Sequence, residues 1–179
     1  MDPASRWNKN RRVRFRAAFR TTVCAMYKPS QQESARARKE LEQLFTKETG
    51  LPLPTYLLYG YYLQAGWIRQ RVSRYLLAFS TLDEALILLK LEKQGRPGTV
   101  YTLEWDQLHS LRFSLRFKLT LRSDALPKTV RIFVPPYTAT TMAAADIPSL
   151  LQQKEVAAFQ SLLRVYRKKN LEHQENKEG

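Results

Sequence analysis

The residues best suited to chemistry in this chain are arginines, and they are concentrated in two segments. The first lies near the N-terminus, where cations alternate with apolar and aromatic side chains such as Phe15 and Phe19. A guanidinium group binds phosphate through two parallel hydrogen bonds, and aromatic rings can stack on bases or enter a lipid interface. An anion-binding arm explains this pattern, and a solvated arm or an edge strand protected by charge explains it equally well. The cations of this segment are Arg11, Arg12, Arg14, Arg16 and Arg20.

The second basic segment runs from Leu111 to Arg122, where apolar and polar residues alternate without a break. Since successive side chains of a strand point to opposite faces, the pattern predicts one strand with an apolar and a polar face. At ~3.3 Å per residue, Arg112 and Arg116 lie about 13 Å apart on such a strand. A cationic row of this kind could bind the phosphates of nucleic acid or acidic lipid headgroups, or it could be an ordinary solvated face. Its members are Arg112, Arg116, Lys118 and Arg122.

Residues typical of catalysis or metal binding are scarce. Cys24 is the single cysteine and the chain has two histidines, so neither an internal disulfide nor a cysteine-ligated zinc site is expected, and a reducing compartment is the default. No glycine-rich phosphate loop, metal-ligand spacing or serine elbow occurs. We therefore expect a protein without enzymatic activity, metal or cofactor. The remote alternative is an enzyme with His109 as general base, near the carboxylates of Glu104 and Asp106.

Composition and charge favour a globular protein with anionic partners. The chain has 179 residues, 44% of them hydrophobic, and a formal net charge of +14. Residues 1–54 carry net +7 and residues 55–169 net +9, so the surplus is spread along the chain. A surplus of this size attracts nucleic acid, acidic lipid or acidic protein. No window reaches the ~18–20 apolar residues that span a bilayer, and the N-terminus lacks the apolar core of a secretory signal. We expect a cytoplasmic protein, either free or peripheral to the inner face of the membrane.

Periodicity predicts an α+β organisation. Residues 1–10 are expected to be a disordered lead, and residues 11–27 a strand or arm, with a helix as the alternative. Ser30 and Glu33 form a capping box that predicts a helix over residues 31–49. Residues 55–134 show short apolar runs separated by turns, typical of a small antiparallel barrel or sandwich of six to seven strands, although residues 55–79 would also suit a helix. Asp146 and Pro148 open a C-terminal amphipathic helix, and residues 170–179 are expected to be a disordered tail.

These patterns together resemble a bacterial pleckstrin-homology-like domain over about residues 55–169. The resemblance implies a β-barrel whose open end is plugged by the terminal helix, and a binding function rather than catalysis. In eukaryotic relatives, basic residues near the first strand–turn–strand unit recognise phosphoinositides, and in this chain Arg69 and Arg71 follow the turn at Ala65–Gly66. No lysine or arginine precedes that turn in residues 55–64. The carriers of the resemblance are residues 85–89, 101–108, 117–121 and 130–135, and the helix through Phe159 and Leu163.

The leading hypothesis from the sequence is a non-enzymatic interaction domain whose basic surface binds an anionic membrane surface or an acidic protein. The alternative is a nucleic-acid-binding protein that uses Arg11–Arg20 as an arm. The sequence leaves the oligomeric state open.

Overall fold

The computed structural model describes residues 28–65, 70–80, 85–92, 98–139 and 147–178, with side chains for all of these except 64, 65, 70, 71 and 167–178. The predicted lead at 1–10 and the strand or arm at 11–27 lie outside this part of the chain. The described residues form two helices and nine strands, so the class is α+β. The helices are α1 (Gln31–Thr49) and α2 (Gln153–Glu178). The strands are β1 (Tyr56–Ala65), β2 (Gln70–Phe79), β3 (Ala85–Leu91), β4 (Thr99–Glu104), β5 (Leu108–Phe113), β6 (Lys118–Ser123), β7 (Val130–Phe133), β8 (Tyr137–Thr138) and β9 (Leu150–Leu151).

Helix α1 has the bounds and the caps that the sequence predicts. The Ser30 hydroxyl accepts a hydrogen bond from the Glu33 amide at 3.2 Å, and the Glu33 carboxylate accepts one from the Ser30 amide at 2.8 Å. At the other end, Gly50 adopts φ +68° and its amide donates to the Thr46 carbonyl. Glycine has no Cβ to clash in this left-handed conformation, which is why it ends the helix here.

The strands form one antiparallel seven-stranded sheet in the order β4-β3-β2-β1-β7-β6-β5, beside a small β8-β9 pair. The sheet is open, so it is neither a closed barrel nor a two-sheet sandwich. Its two edge strands, β4 and β5, are nevertheless consecutive in the chain, and only residues 105–107 separate them. Four steps along the chain span at most about 14 Å, so the sheet curls until its edges approach each other at this corner. Helix α2 lies at the corner, where Trp105 and Tyr166 rings are 4.8 Å apart and the Tyr166 hydroxyl donates to the Leu108 carbonyl at 3.2 Å.

Both faces of the curled sheet carry a hydrophobic core. The inner face packs against α2 through residues such as Leu88, Ile132 and Phe159. The outer face packs against α1 and the segment before α2, through Phe45 and Ile147 among others. Because α1 covers the outer face only beside β1–β3, those strands are buried on both sides. This agrees with the continuous aliphatic run of β3, whose predicted bounds of residues 85–91 are confirmed.

The alternating segment from Leu111 to Arg122 is a hairpin and not one strand. β5 ends at Phe113 and β6 begins at Lys118. In the turn between them, the Phe117 amide donates to the Ser114 carbonyl at 2.9 Å, and Phe117 adopts φ +56°. Leu115 occupies the tip with 97% of its surface exposed. The side chain that the single-strand interpretation buries is therefore in solvent.

The C-terminal helix also begins later and ends later than the sequence predicts. Residues 150–151 form β9, which pairs with β8, and the helix begins at Gln153 instead of Asp146. The reason is that Leu150 is buried in the outer core and Leu151 is hydrogen-bonded to α1 through Ser34. At its other end the helix continues to Glu178, through the residues expected to form a disordered tail.

Gln152, between β9 and α2, is fully buried and completes the backbone ladder of β1. Its side-chain oxygen accepts from the Tyr59 amide at 2.9 Å, and its side-chain nitrogen donates to the carbonyls of Tyr59 and Pro135 at 2.9 and 2.7 Å. Strand β7 pairs with β1 at Tyr61–Phe133. Further along β1, the side-chain amide of Gln152 makes the hydrogen bonds of the Tyr59 backbone. A buried polar group with all its hydrogen bonds made stabilises a fold, and an unpaired one is costly.

We predict that Gln152→Ala lowers the free energy of unfolding by about 3 kcal/mol or more, because it leaves one amide and two carbonyls without partners inside the protein. Gln153→Ala, an exposed neighbour, is the matched control and should change it by less than about 0.5 kcal/mol. Urea unfolding followed by circular dichroism measures both. Equal effects of the two substitutions would contradict the role assigned to Gln152.

A second prediction compares two leucines of the alternating segment. Leu119→Ala should cost about 2–5 kcal/mol, because Leu119 is fully buried and its truncation leaves a cavity. Leu115→Ala should cost less than about 0.5 kcal/mol, because the side chain contributes no burial at the tip of the turn. Denaturant midpoints of the two variants provide the comparison, and similar losses would restore the single-strand interpretation.

Candidate functional site

The outer surface of β5–β7 carries four exposed cations that we call the cationic face, defined by Arg112, Lys118, Arg122 and Arg131. The alternation of β5, β6 and β7 places these side chains opposite the buried leucines, valine and isoleucine of the same strands. The hairpin preserves the predicted grouping of Arg112 with Lys118 and Arg122. The sequence interpretation did not single out Arg131, although the same period-two pattern in residues 129–134 could have identified it.

Strand register fixes the spacing of the cationic face. Arg112 of β5 and Arg131 of β7 both pair with Thr120 of β6. They therefore flank Thr120 at about 10 Å from each other, which is two strand spacings. Lys118 and Arg122 lie on either side of Thr120 along β6, about 13 Å apart. The four charges thus surround one central residue in a nearly planar arrangement, which suits a partner with several anionic groups on a flat surface.

No carboxylate of the described residues forms an ion pair with these four cations. Residues 108–139 hold six basic side chains and one acidic side chain, Asp124, for a net charge of +5. Residues 31–54, which include α1, hold four of each and are neutral. The surplus of the described surface is therefore concentrated on β5–β7.

The cationic face is open because α1 is held elsewhere. The outer core around α1 reaches β7 only at Phe133, so neither of the two described helices lies above the outer surface beyond β7. Arg38 anchors α1 over β1–β3, because its guanidinium lies 2.9 Å from the Glu155 carboxylate and 3.1 Å from the Leu151 carbonyl. Arg38 is thus a structural cation with partners, whereas the four cations of the cationic face have no ion-pair partner among the described carboxylates.

The β5–β6 turn adds an apolar tip beside this face. Leu115 is 97% exposed and is followed by Arg116, which is also exposed. The base of the turn is anchored by Phe113 and Phe117, whose ring centroids are 6.3 Å apart and which pack against the inner core. Arg116, predicted as part of the row, therefore lies in the turn, outside the strands that carry the other cations.

The remaining predicted site residues lie either outside the described residues or on another strand. Arg11, Arg12, Arg14, Arg16, Arg20 and Arg69 lie outside the described residues, as does Cys24. Arg71 lies in β2, three strands away from β6, and its side chain is outside the description. The structure thus supports a site built on β5–β7 and provides no geometry for the N-terminal segment.

His109 occupies a β-bulge, where the register between β5 and β6 shifts. Its Nε2 lies 2.6 Å from Oδ1 of Asp124, and both side chains are exposed. The carboxylate partner is therefore Asp124 and not Glu104 or Asp106, which the sequence placed near it. His109 and Asp124 therefore have the geometry of an exposed surface pair.

A polar cluster beside the inner core contains Tyr75, Lys90 and Glu92. Tyr75 pairs with Lys90 across β2 and β3, and the Lys90 ammonium lies 2.6 Å from the Glu92 carboxylate. Burial raises the pKa of Tyr75, and the hydrogen bond with Glu92 raises the pKa of Lys90. Both groups therefore stay protonated at neutral pH, so neither Tyr75 nor Lys90 serves as a base or nucleophile there.

Within the described residues, no group of three or more His, Cys, Asp or Glu side chains could hold a metal ion. None of the helices in the same ranges combines the length and apolarity needed to span a membrane.

Comparisons of this chain with family models, with curated proteins and with solved structures find no match.

We predict that the cations of the face contribute nothing to folding. The double variant Arg112→Gln, Arg131→Gln should unfold at an unchanged or slightly higher denaturant concentration, because it removes like charges that lack partners. Arg38→Gln should cost about 1–3 kcal/mol, because it leaves the largely buried Glu155 carboxylate unpaired. Urea unfolding at low ionic strength measures the stability of both variants. A large loss of stability in the double variant would show that the cationic face has a structural role.

Proposed function

We propose that this protein is a non-enzymatic interaction domain that binds an anionic partner through the cationic face. The main support is the group of four exposed cations around Thr120, which have no carboxylate partner among the described residues. Charges in this state keep their full attraction for an external anion, whereas paired charges such as Arg38 do not.

The partner we favour is an anionic membrane surface. The flat outer side of three strands can present its cations to many headgroups at once, and each cation near such a surface contributes about 1 kcal/mol. Leu115 at the tip of the adjacent turn supports this choice, because an exposed aliphatic side chain beside cations can enter the headgroup boundary. An acidic protein is the alternative anionic partner.

The resemblance to a pleckstrin-homology-like domain agrees with this proposal as a family hypothesis. The seven antiparallel strands and the C-terminal helix that packs against their inner face support it. The open sheet departs from the barrel that the resemblance implies. The proposed site differs from the one that the resemblance implies, since it lies on β5–β7 and does not involve Arg69 or Arg71.

The test is flotation of the full chain with phosphatidylcholine vesicles that contain a rising fraction of phosphatidylglycerol, at low salt. Binding should rise with the anionic fraction, and Arg112→Gln, Arg131→Gln should weaken it roughly 30-fold, since two cations are removed from the interface. The matched control is Lys39→Gln, Lys47→Gln, which removes the same charge from exposed positions on α1 and should weaken binding less than about threefold.

Equal losses in the two double variants would mean that net charge, and not the cationic face, governs binding. Polyglutamate and single-stranded RNA serve as separate probes of an acidic protein and of nucleic acid. Face-dependent binding to polyglutamate alone would replace the membrane by an acidic protein, and salt-sensitive binding to RNA that is independent of the face would favour the N-terminal arm. Binding to none of the three probes would overturn the proposal.

A further inference from the structure

The edge strand β4 lacks the protection that edge strands normally carry. It is the terminal strand of the sheet, and Thr99, Val100 and Thr102 are exposed. Its sequence, Thr-Val-Tyr-Thr-Leu-Glu, is strongly β-forming and has one charge, at its last residue. Natural proteins discourage pairing at such edges with lysines, prolines or bulges, and β4 contains none of these. Among the described strands, none pairs with its outer backbone edge, which can therefore accept another strand.

The opposite edge, β5, is protected in three ways. The register shift at His109 interrupts its ladder with β6. The Tyr166 hydroxyl of α2 occupies the carbonyl of Leu108, and Arg112 places a charge on the strand. Strand addition to the seven-stranded sheet is thus directed to β4.

An exposed aliphatic surface adjoins the open edge. The Glu48 carboxylate near the end of α1 accepts a hydrogen bond from the Gly98 amide at 2.6 Å, so the residues after α1 lie beside the start of β4. Leu51 is 38% exposed, Leu53 55% and Val100 37%. Backbone groups and apolar side chains are therefore available on the same side of the molecule, which is the combination found in strand-addition interfaces.

This side of the molecule has no surplus of positive charge. The described residues 85–92 and 98–107 hold one basic and three acidic side chains, and residues 31–54 hold four of each. The chain as a whole carries +14, which would oppose self-association at any strongly basic surface. Two copies can approach through the β4 side with little repulsion, because neither β4 nor residues 31–54 carry a positive surplus.

We infer that the partner at this edge is a second copy of the same chain, paired antiparallel through β4 in a two-fold symmetric dimer. Two identical edges related by a two-fold axis are self-complementary, and pairing them consumes both open edges, so the assembly closes at two copies. The result is a continuous sheet of fourteen strands that carries two cationic faces. An anionic surface would then be met by two sites at once, which raises apparent affinity without any new contact.

The experiment is sedimentation equilibrium of the full chain over roughly 1–100 μM, the range that corresponds to a small interface of this kind. Val100→Lys places a charge in the pairing edge and should weaken dimerisation at least tenfold, as edge lysines do in natural sheets. Thr102→Pro removes an amide donor of the same strand. Leu115→Lys introduces the same charge at an exposed aliphatic position in the β5–β6 turn, outside the pairing strand, and should leave dimerisation unchanged. Thermal unfolding verifies that each variant is folded.

A second measurement locates the interface without relying on disruption. In a Cys24→Ala background, Thr102→Cys should be joined into a covalent dimer by a short bismaleimide, and Thr46→Cys on the exposed side of α1 should not. A protein that stays monomeric across the range overturns the inference. So does a dimer that Val100→Lys and Thr102→Pro leave intact, because it would use another surface. Because these measurements involve no anion, their outcome is independent of the binding proposal.

Discussion

The hydrogen bonds of residues 151 and 152 hold the two helices and the sheet of this protein together. The side chain of Gln152 supplies the acceptor and the donor that β1 needs at Tyr59. Its backbone amide donates to the Pro136 carbonyl at 2.8 Å. Its carbonyl accepts the first helical bond of α2, from Val156. Leu151 is bound at the same time by Ser34 and Arg38 of α1. Two consecutive residues therefore fix both helices to β1, and Gly60 allows the close approach of β7, since a Cβ there would lie 3.0 Å from Val134.

The placement of α1 decides how charge is distributed over the surface. Because α1 is fixed over the outer face of β1–β3, neither described helix covers the outer face of β5–β7, and its alternating cations are exposed. The same placement puts the neutral end of α1 beside β4. One edge of the curled sheet is therefore basic and protected by a bulge, and the other is neutral and open. Both proposals made here follow from this asymmetry.

The hairpin of β5 and β6 explains why the most regular pattern in the sequence was misleading. Phe113 pairs with Leu119, and paired residues of an antiparallel ladder point to the same face. Because these partners are six positions apart, an even number, alternation continues across the turn in phase. A two-residue turn pairs residues three positions apart and would have interrupted the pattern. The face of each strand residue was predicted correctly, whereas the turn, with Leu115 at its tip and Phe117 at a positive φ, left no trace in the polarity pattern.

By itself, the sequence determined the elements whose cause is local. The capping box and Gly50 set the bounds of α1, and the aliphatic run set those of β3, since capping and burial act through residues close together in the chain. The exposure of Arg112, Lys118 and Arg122 followed from alternation. Tertiary structure decided what depends on distant partners. Gln152 looks like an ordinary surface glutamine until β1 and β7 are placed around it, and Arg131 joins the other cations only through strand register. Long-range hydrogen bonds and register are properties of pairs far apart in the chain, so a local pattern cannot encode which residues they bring together.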